Sequence, residues 1–476
     1  MSGRNALAGL LATVVSGACF YYGTGLHPHW WIAWLAPIPM LLAVPALSRS
    51  GAFLLSFIAM SLGGMNLWGF LRGVLGVPLG VVVAALCLPA VMFAVAALFF
   101  RSLSLRRAPA FAVFGPSALW VSLEYLSAVL SPHGTFGNLA YSQVSFLPVI
   151  QVASVTGIWG ISFLIFLFAA TVSVFIGRTG FVHSRTRLGI GVLLLFCVVF
   201  IFGWQRLKVD DSHHPSMMVM LLAKDVSFDG YPDSDPQALA LFHEYAGELR
   251  RVTPAGTEVV VLPEKIARVS EIALPEVNDL FAKVAAEIKA SIVVGLVRKT
   301  ASAAFNESRV YSPQGGLVAI YAKHHLIPGV EPERAGAGRV VLRQPPGTWG
   351  LTICKDMDFP KLSREYSQDG AGVLLVPAWD FQVDGWLHSR MAVLRNVEGG
   401  FAQARSARSG LLTISDNRGR VLAEVASNSA PFARVQASVP IGKATTFYQR
   451  FGDWFAWVSV ILVIAILVKR PSHGKQ

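Results

Sequence analysis

Leu351-Thr-Ile-Cys354-Lys-Asp-Met-Asp-Phe-Pro360 runs from a β-branched, strand-like stretch into two acids and a Phe-Pro pair, with a thiol at the junction. Cys354 is the only cysteine in the long, ordinarily polar stretch near 208–450; Cys19, Cys87 and Cys197 fall inside apolar runs, where a thiol behaves as a small hydrophobe. No other cysteine of its own domain is present to form a disulfide with it. Most cysteines are buried and inert. A lone thiol at a strand end, followed by acids, reads instead as a placed nucleophile.

Apolar, β-rich segments recur on both sides of it with helical stretches between them. Strands are expected at 217–222, 258–262, 292–297, 309–311, 317–321, 350–354, 372–376, 402–406 and 410–414, and helices at 236–250, 274–290, 358–369 and 384–398. Such alternation predicts a layered α/β domain with helices covering the sheet faces. In these sheets reactive residues collect just beyond strand ends. Glu264 follows Val259-Val-Val-Leu262 and a proline, and Lys323 lies in Tyr321-Ala-Lys323-His-His-Leu-Ile-Pro328. With Cys354 they supply a base, a cation and a thiol, the parts of acyl transfer through a thioester. A free thiol has a pKa of about 8.5, so little thiolate exists at neutral pH. A poorly solvated glutamate within hydrogen-bond reach takes its proton, and an ammonium stabilises both the thiolate and the tetrahedral oxyanion.

The rest of the chain is of another kind. Of 476 residues, 54% are hydrophobic and 14% charged, and the mean hydropathy is +0.54. Apolar runs long enough to cross a bilayer, about 20 residues each, occur near 7–25, 30–48, 52–72, 79–101, 110–131, 151–177, 188–205 and 454–469. The first is expected to be a retained helix, because no small-residue cleavage site follows it. The expected organisation is a membrane domain of about seven spans at 1–207, an α/β domain at 208–450, and a last span with a tail at 451–476.

Basic residues set the orientation. Arg4 precedes the first run and Arg49 separates the second from the third. Arg101, Arg106 and Arg107 separate the fourth from the fifth; Arg178, Arg185 and Arg187 separate the sixth from the seventh; Lys469, Arg470 and Lys475 follow the last. The alternate loops at 23–29 and 132–150 carry no Lys or Arg. Both termini are therefore expected in the cytoplasm and the large domain outside. The same basic loops account for much of the net charge of +12, so attraction to anionic lipid is favoured over nucleic-acid binding. No glycine-rich phosphate loop, Cys-x-x-Cys pair or His-x-x-x-His spacing appears, and neither a metal nor a cofactor is expected.

At Glu264, Lys323 and Cys354 the sequence resembles the nitrilase, or carbon–nitrogen hydrolase, superfamily, whose Glu-Lys-Cys triad comes in this order. The resemblance implies a four-layer α-β-β-α sandwich over about half the chain. With the spans around it, the whole chain resembles the membrane-embedded apolipoprotein N-acyltransferase family, in bacteria an inner-membrane family. Glu331, eight residues after Lys323, matches that family's additional essential glutamate. The stretches 388–398, 445–453, 123–126 and 137–142 also fit its pattern.

The sequence departs from the family in having Leu262 where tryptophan is frequent, and Lys355 and Asp356 where an aromatic and a glutamate are common. Lys355 beside the nucleophile reads either as a phosphate-binding or thiol-activating cation or as a solvent-facing lysine. The activity implied is N-acylation of the diacylglyceryl-cysteine of an apolipoprotein, with a phospholipid as donor. Glu264 would be the general base, Lys323 the stabilising cation and Cys354 the nucleophile. The rival readings are a membrane-tethered amidase or hydrolase with water as acceptor, an acyltransferase with another amine acceptor, and a non-catalytic scaffold. Phe228, Tyr231, Trp379, Phe381 and Trp386 are candidates for an apolar lid that keeps water from a thioester.

Overall fold

The computed structural model describes residues 3–106, 108–177, 182–209, 215–225, 230–442 and 444–468. Phe228, Arg107, Arg178, Lys469, Arg470, Lys475 and the linker 210–214 lie outside the described residues. Two compact units emerge, one of Met1–Ser131, Phe136–Lys208 and Phe451–Gln476, the other of Pro132–Thr135 and Val209–Arg450.

The first unit is helical. Among the described residues, six helices are long and apolar enough to cross a membrane: Gly3–Gly23, Arg49–Leu67, Leu79–Leu105, Pro109–Leu130, Ile158–Ile176 and Arg185–Lys208. The run expected to span at 30–48 is broken into Trp30–Leu35, Ile38–Ala43 and Val44–Ala46. Pro37, Pro39 and Pro45 lack the N–H that a continuous helix needs. The last apolar helix is described over Trp454–Val468, 15 residues. Small residues let the helices approach closely: a methyl at Gly63 would lie 2.3 Å from Phe20 Cβ. Several buried polar groups find partners, as an apolar surround favours. Glu124 Oε1 accepts the Leu139 N–H at 2.8 Å, so the stretches 123–126 and 137–142 meet. Trp159 Nε1 donates to Asp453 Oδ1 at 2.7 Å.

The second unit contains β1 (Ser216–Ala223), β2 (Val259–Val261), β3 (Arg268–Ser270), β4 (Ser291–Lys299), β5 (Ala304–Tyr311), β6 (Leu317–Ala322), β7 (Val341–Gln344), β8 (Gly347–Leu351), β9 (Val373–Trp379), β10 (Ala402–Arg408), β11 (Leu411–Ser415), β12 (Val421–Ala426) and β13 (Ala433–Pro440). One sheet has the order β13-β1-β2-β4-β5-β6, with β3 on β4; the other runs β12-β11-β10-β9-β8-β7.

Successive side chains of a strand point to opposite faces, and the apolar residues obey this. Met217, Val219 and Leu221 of β1 join Val373 and Leu375 of β9 in a core between the two sheets. Met220 and Leu222 face the other way, onto the helices Asp235–Val252 and Leu274–Ile288. Leu374 and Val376 pack on Leu362, Tyr366 and Ala392 of the helices Pro360–Gln368 and Gly385–Gly399. In Asp235–Val252, Pro236 begins the helix, and Ala238, Leu241, Phe242, Tyr245, Ala246 and Leu249 form one buried stripe. Each such Leu or Phe contributes about 1.5–3 kcal/mol by leaving water. The result is an α-β-β-α sandwich.

Four strands were not expected. β3 is three residues long, too short for a periodic signal, while β7 and β12 are largely half-exposed or exposed. β13 has small and polar residues among its valines and is defined by antiparallel pairing to β1 along its length. The strand expected at 350–354 ends at Leu351, and Cys354 instead opens a 3₁₀ turn, Cys354–Asp358.

Candidate active site

β2 ends at Val261, and Leu262 N still bonds Val293 O of β4 at 2.8 Å. Pro263 then turns the chain so that Glu264 N donates to Ala378 O of β9 at 3.2 Å, a link between the two sheets. This crossing needs a glycine beneath it: a methyl at Gly295 would stand 2.2 Å from Pro263 O and 2.7 Å from Glu264 Cα. The Glu264 side chain is almost fully buried, at 2% exposure.

Lys323 follows β6, its N–H bonded to Asn306 O of β5 at 2.9 Å. Its ammonium donates to Glu264 Oε1 at 2.9 Å and to both oxygens of Glu331, at 3.1 and 2.9 Å. Asn306 Nδ2 bonds Glu264 Oε1 at 2.6 Å. Burial alone would push Lys323 down, but the two carboxylates overcome it and hold the ammonium well above its ordinary value. Glu331 is also bonded by Lys265 Nζ at 2.8 Å and by Ile327 N at 2.8 Å. Burial opposes its ionisation, yet the ammonium groups of Lys323 and Lys265 bring it down to about 2.

The thiol sits on a strained corner. Cys354 has φ +45°, a left-handed conformation that costs a non-glycine residue about 1–2 kcal/mol. Asp356 holds the corner closed. Its Oδ2 accepts from Ile353 N at 3.0 Å and Tyr321 OH at 2.7 Å, and its Oδ1 accepts from His325 N at 2.9 Å. The position where the sequence departs from the family is thus the brace of the turn. Cys354 Sγ donates to Trp379 O at 3.5 Å, one residue beyond the carbonyl that receives Glu264 N. The end of β9 therefore gathers Cys354 and Glu264 from different sheets. Burial and then the Glu264 carboxylate hold the thiol well above its ordinary value, with Lys323 opposing them.

A second layer of charge had no clear signal in the sequence. Lys265, also at positive φ, +48°, bridges Glu331 and Glu333, the latter at 3.0 Å. Tyr231 OH donates to Glu333 Oε1 at 3.2 Å and accepts from Arg268 at 2.8 Å. Arg405 of β10 and Asp380 form a buried bidentate pair at 2.9 and 2.5 Å. The only hint was the run Gln403-Ala-Arg405-Ser-Ala-Arg408 inside a strand, where charge must find partners. Of the proposed lid residues, Trp379 lies under the Arg408 guanidinium, 3.8 Å from its ring centre, and against Tyr231. Trp379 is thereby held next to the thiol, which its carbonyl receives. Phe381 and Trp386 are half-buried, with Phe381 N bonded to Asp384 at 2.8 Å and Arg390 over the Trp386 ring.

Lys355 is not solvent-facing. It is 5% exposed, with Nζ 3.2 Å from His133 Nδ1 and 3.4 Å from Leu326 O.

The sequence of this sandwich matches the carbon-nitrogen hydrolase family model over residues 231–430, which sets the class of the second unit. Residues 16–171 match the model of the apolipoprotein N-acyltransferase N-terminal domain. An apolipoprotein N-acyltransferase of Geobacter metallireducens is 27% identical over 98% of this chain and 96% of its own length. One from Haemophilus ducreyi is 24% identical over 94% of each. Among solved structures, Saccharomyces cerevisiae Nit3, a member of branch 10 of the nitrilase superfamily, aligns with 46% of this chain and 90% of its own at 20% identity and a TM-score of 0.39. Both halves of the chain thus point one way: the first matches the apolipoprotein N-acyltransferase N-terminal domain, the second matches the carbon-nitrogen hydrolase family, and the chain is similar over nearly its whole length to apolipoprotein N-acyltransferases, an acyltransferase family.

Proposed function

We propose that this protein transfers an acyl chain from a phospholipid to the α-amine of an apolipoprotein's diacylglyceryl-cysteine, in two steps through a thioester on Cys354. The observation that carries this reading is the meeting, at the end of β9, of the buried Cys354 thiol and Glu264, whose carboxyl group Lys323 and Asn306 hold in place. In the first step Sγ attacks the donor ester carbon and Glu264 takes the thiol proton. Lys323, with a backbone N–H, stabilises the oxyanion. The C–O bond breaks, and the proton passes from Glu264 to the leaving lysophospholipid. In the second step the amine attacks the thioester carbon, Glu264 takes the amine proton, and the C–S bond breaks to return that proton to sulfur. Both substrates carry acyl chains whose exposure to water costs about 0.8 kcal/mol per CH₂, which explains a thiol enzyme carried on membrane helices.

Enzyme given phospholipid alone is expected to release about one equivalent of lysophospholipid and stop, resuming when a diacylglyceryl-cysteine peptide is added. Steady release of free fatty acid without amine would make water the acceptor and favour the hydrolase reading.

The same reading puts residues 210–450 on the periplasmic side of the bacterial inner membrane and both termini in the cytoplasm, on the strength of the Arg and Lys asymmetry. Protease added to spheroplasts is expected to digest this region without membrane disruption. Outside labelling of a cysteine introduced into loop 102–109 would reverse the orientation.

A further inference from the structure

Among the described residues, Lys355 is a buried cation with no carboxylate oxygen within 4.0 Å of its ammonium. Among the described residues its hydrogen-bond partners are His133 Nδ1 and Leu326 O alone, and it forms no ion pair within 4.0 Å, unlike Lys323 and Lys265 nearby. An ammonium has three protons to donate, and here two neutral acceptors serve them, one at a long 3.4 Å. Burying an ammonium costs several kcal/mol unless an opposite charge repays it. Burial accordingly holds Lys355 below its ordinary value, although Asp358 acts in the other direction.

The arrangement is built rather than incidental. Asp356 fixes the turn from one side, through Tyr321, Ile353 and His325. From the other, Thr135 N and Oγ1 both donate to Asp358 O, at 3.0 and 2.7 Å. A methyl at Gly134, which has φ +56°, would lie 2.6 Å from that same oxygen, so the segment Pro132–Thr135 packs directly on the turn. It thereby delivers His133 to Lys355. Burial, then the neighbouring ammonium, keep His133 below its ordinary value. It is a neutral imidazole, with Nδ1 accepting and the ring proton on Nε2.

We infer that Lys355, steadied by His133, recognises the phosphodiester of the acyl donor and so selects a phospholipid over a neutral glyceride. This rests on the thioester reading proposed above. Lys355 follows the nucleophile directly, with consecutive Cα atoms about 3.8 Å apart, and the glycerol backbone of a phospholipid likewise holds its ester and phosphodiester a few bonds apart. An incoming phosphodiester supplies the missing counter-charge. The acceptor, a diacylglyceryl thioether, carries no phosphate, so the anion comes with the donor. Lys355 is then a specificity residue for the first step.

The test is single-turnover acylation of full-length enzyme in detergent micelles, read by the mass of the protein. Dioleoyl phosphatidylglycerol is compared with dioleoylglycerol, which has the same chains and no phosphate. Wild type is expected to prefer the phospholipid. Lys355→Met is expected to cut the ratio of the two rates ten-fold or more, the size of one charge-assisted hydrogen bond, and Lys355→Arg to keep most of it. Should Lys355→Met prove too unstable to purify, Lys355→Gln gives the same ratio. Equal losses with both donors would assign Lys355 to the oxyanion or to the turn and overturn the inference, as would an unaltered ratio. Absence of an adduct on wild-type Cys354 with either donor would instead refute the thioester reading itself.

Discussion

Cys354→Ser is expected to lower acyl transfer by about three orders of magnitude or more while the protein still inserts and folds. The Cys354 thiol is already held well above its ordinary value by burial and by Glu264, and a hydroxyl at the same place is far harder to deprotonate. On the proposed mechanism Glu264, held by Lys323 and Asn306, takes the nucleophile's proton, and a serine hydroxyl gives its proton up far less readily than a thiol. The substitution removes almost no volume and leaves the positive φ at 354 unchanged, so melting in detergent should shift little. The measurement is paired: loss of the acyl adduct by mass, and transfer to a diacylglyceryl-cysteine peptide. Retained transfer by purified Cys354→Ser would remove the thioester mechanism altogether.

Glu331→Gln is expected to cost both stability and rate. Glu331 receives Lys323, Lys265, Asn306 and Ile327 N, so an amide there leaves two buried ammonium groups sharing fewer carboxylates. Breaking a buried pair in this way costs about 3–5 kcal/mol. Lys323 would also lose one of the two carboxylates that hold it in place, and kcat is expected to fall about a hundred-fold, the lower end of what general acid–base contributions span.

The pH dependence has a definite sign. The folded Glu331 ionises at about 2, below its ordinary 4.5, so the unfolded chain binds the extra proton between these values. Its contribution is complete above about pH 4.5 and is lost as pH falls toward 2. Wild type should therefore lose stability over that window, and Glu331→Gln should lack this component. Acid unfolding followed by tryptophan fluorescence in detergent measures the difference. Superimposable acid limbs would show that Glu331 is not the buried partner of Lys323 and Lys265.

The layered α/β domain was legible because its strands have one face in each of two cores. Met217, Val219 and Leu221 face one core and Met220 and Leu222 the other, so the strand is an unbroken apolar run, and such a run between helical stretches is a local property of the chain. The apolar runs were legible for the same reason, although length and composition did not reveal that Pro37, Pro39 and Pro45 interrupt the second. Glu264, Lys323 and Cys354 stood out because each is a chemically active side chain just past an apolar strand. Their meeting could not be read in this way. It depends on Ala378 and Trp379, whose carbonyls receive Glu264 N and the Cys354 thiol, and on Gly295, which lets the Glu264 loop lie close.

By itself, then, the sequence determined the two kinds of domain and most of the strands and helices, and it singled out three candidate residues for thioester chemistry. Periodicity, hydropathy and side-chain type are carried by neighbours along the chain. Only the tertiary structure decided that Cys354 sits at positive φ on a turn braced by Asp356, and that Lys265 and Glu333 share the charge of Glu331. It alone showed Arg405 paired with Asp380, and Lys355 turned inward to His133 rather than out to water. Each of these depends on a partner distant in sequence, and a buried charge acquires its meaning from whichever group the fold sets within about 3 Å of it.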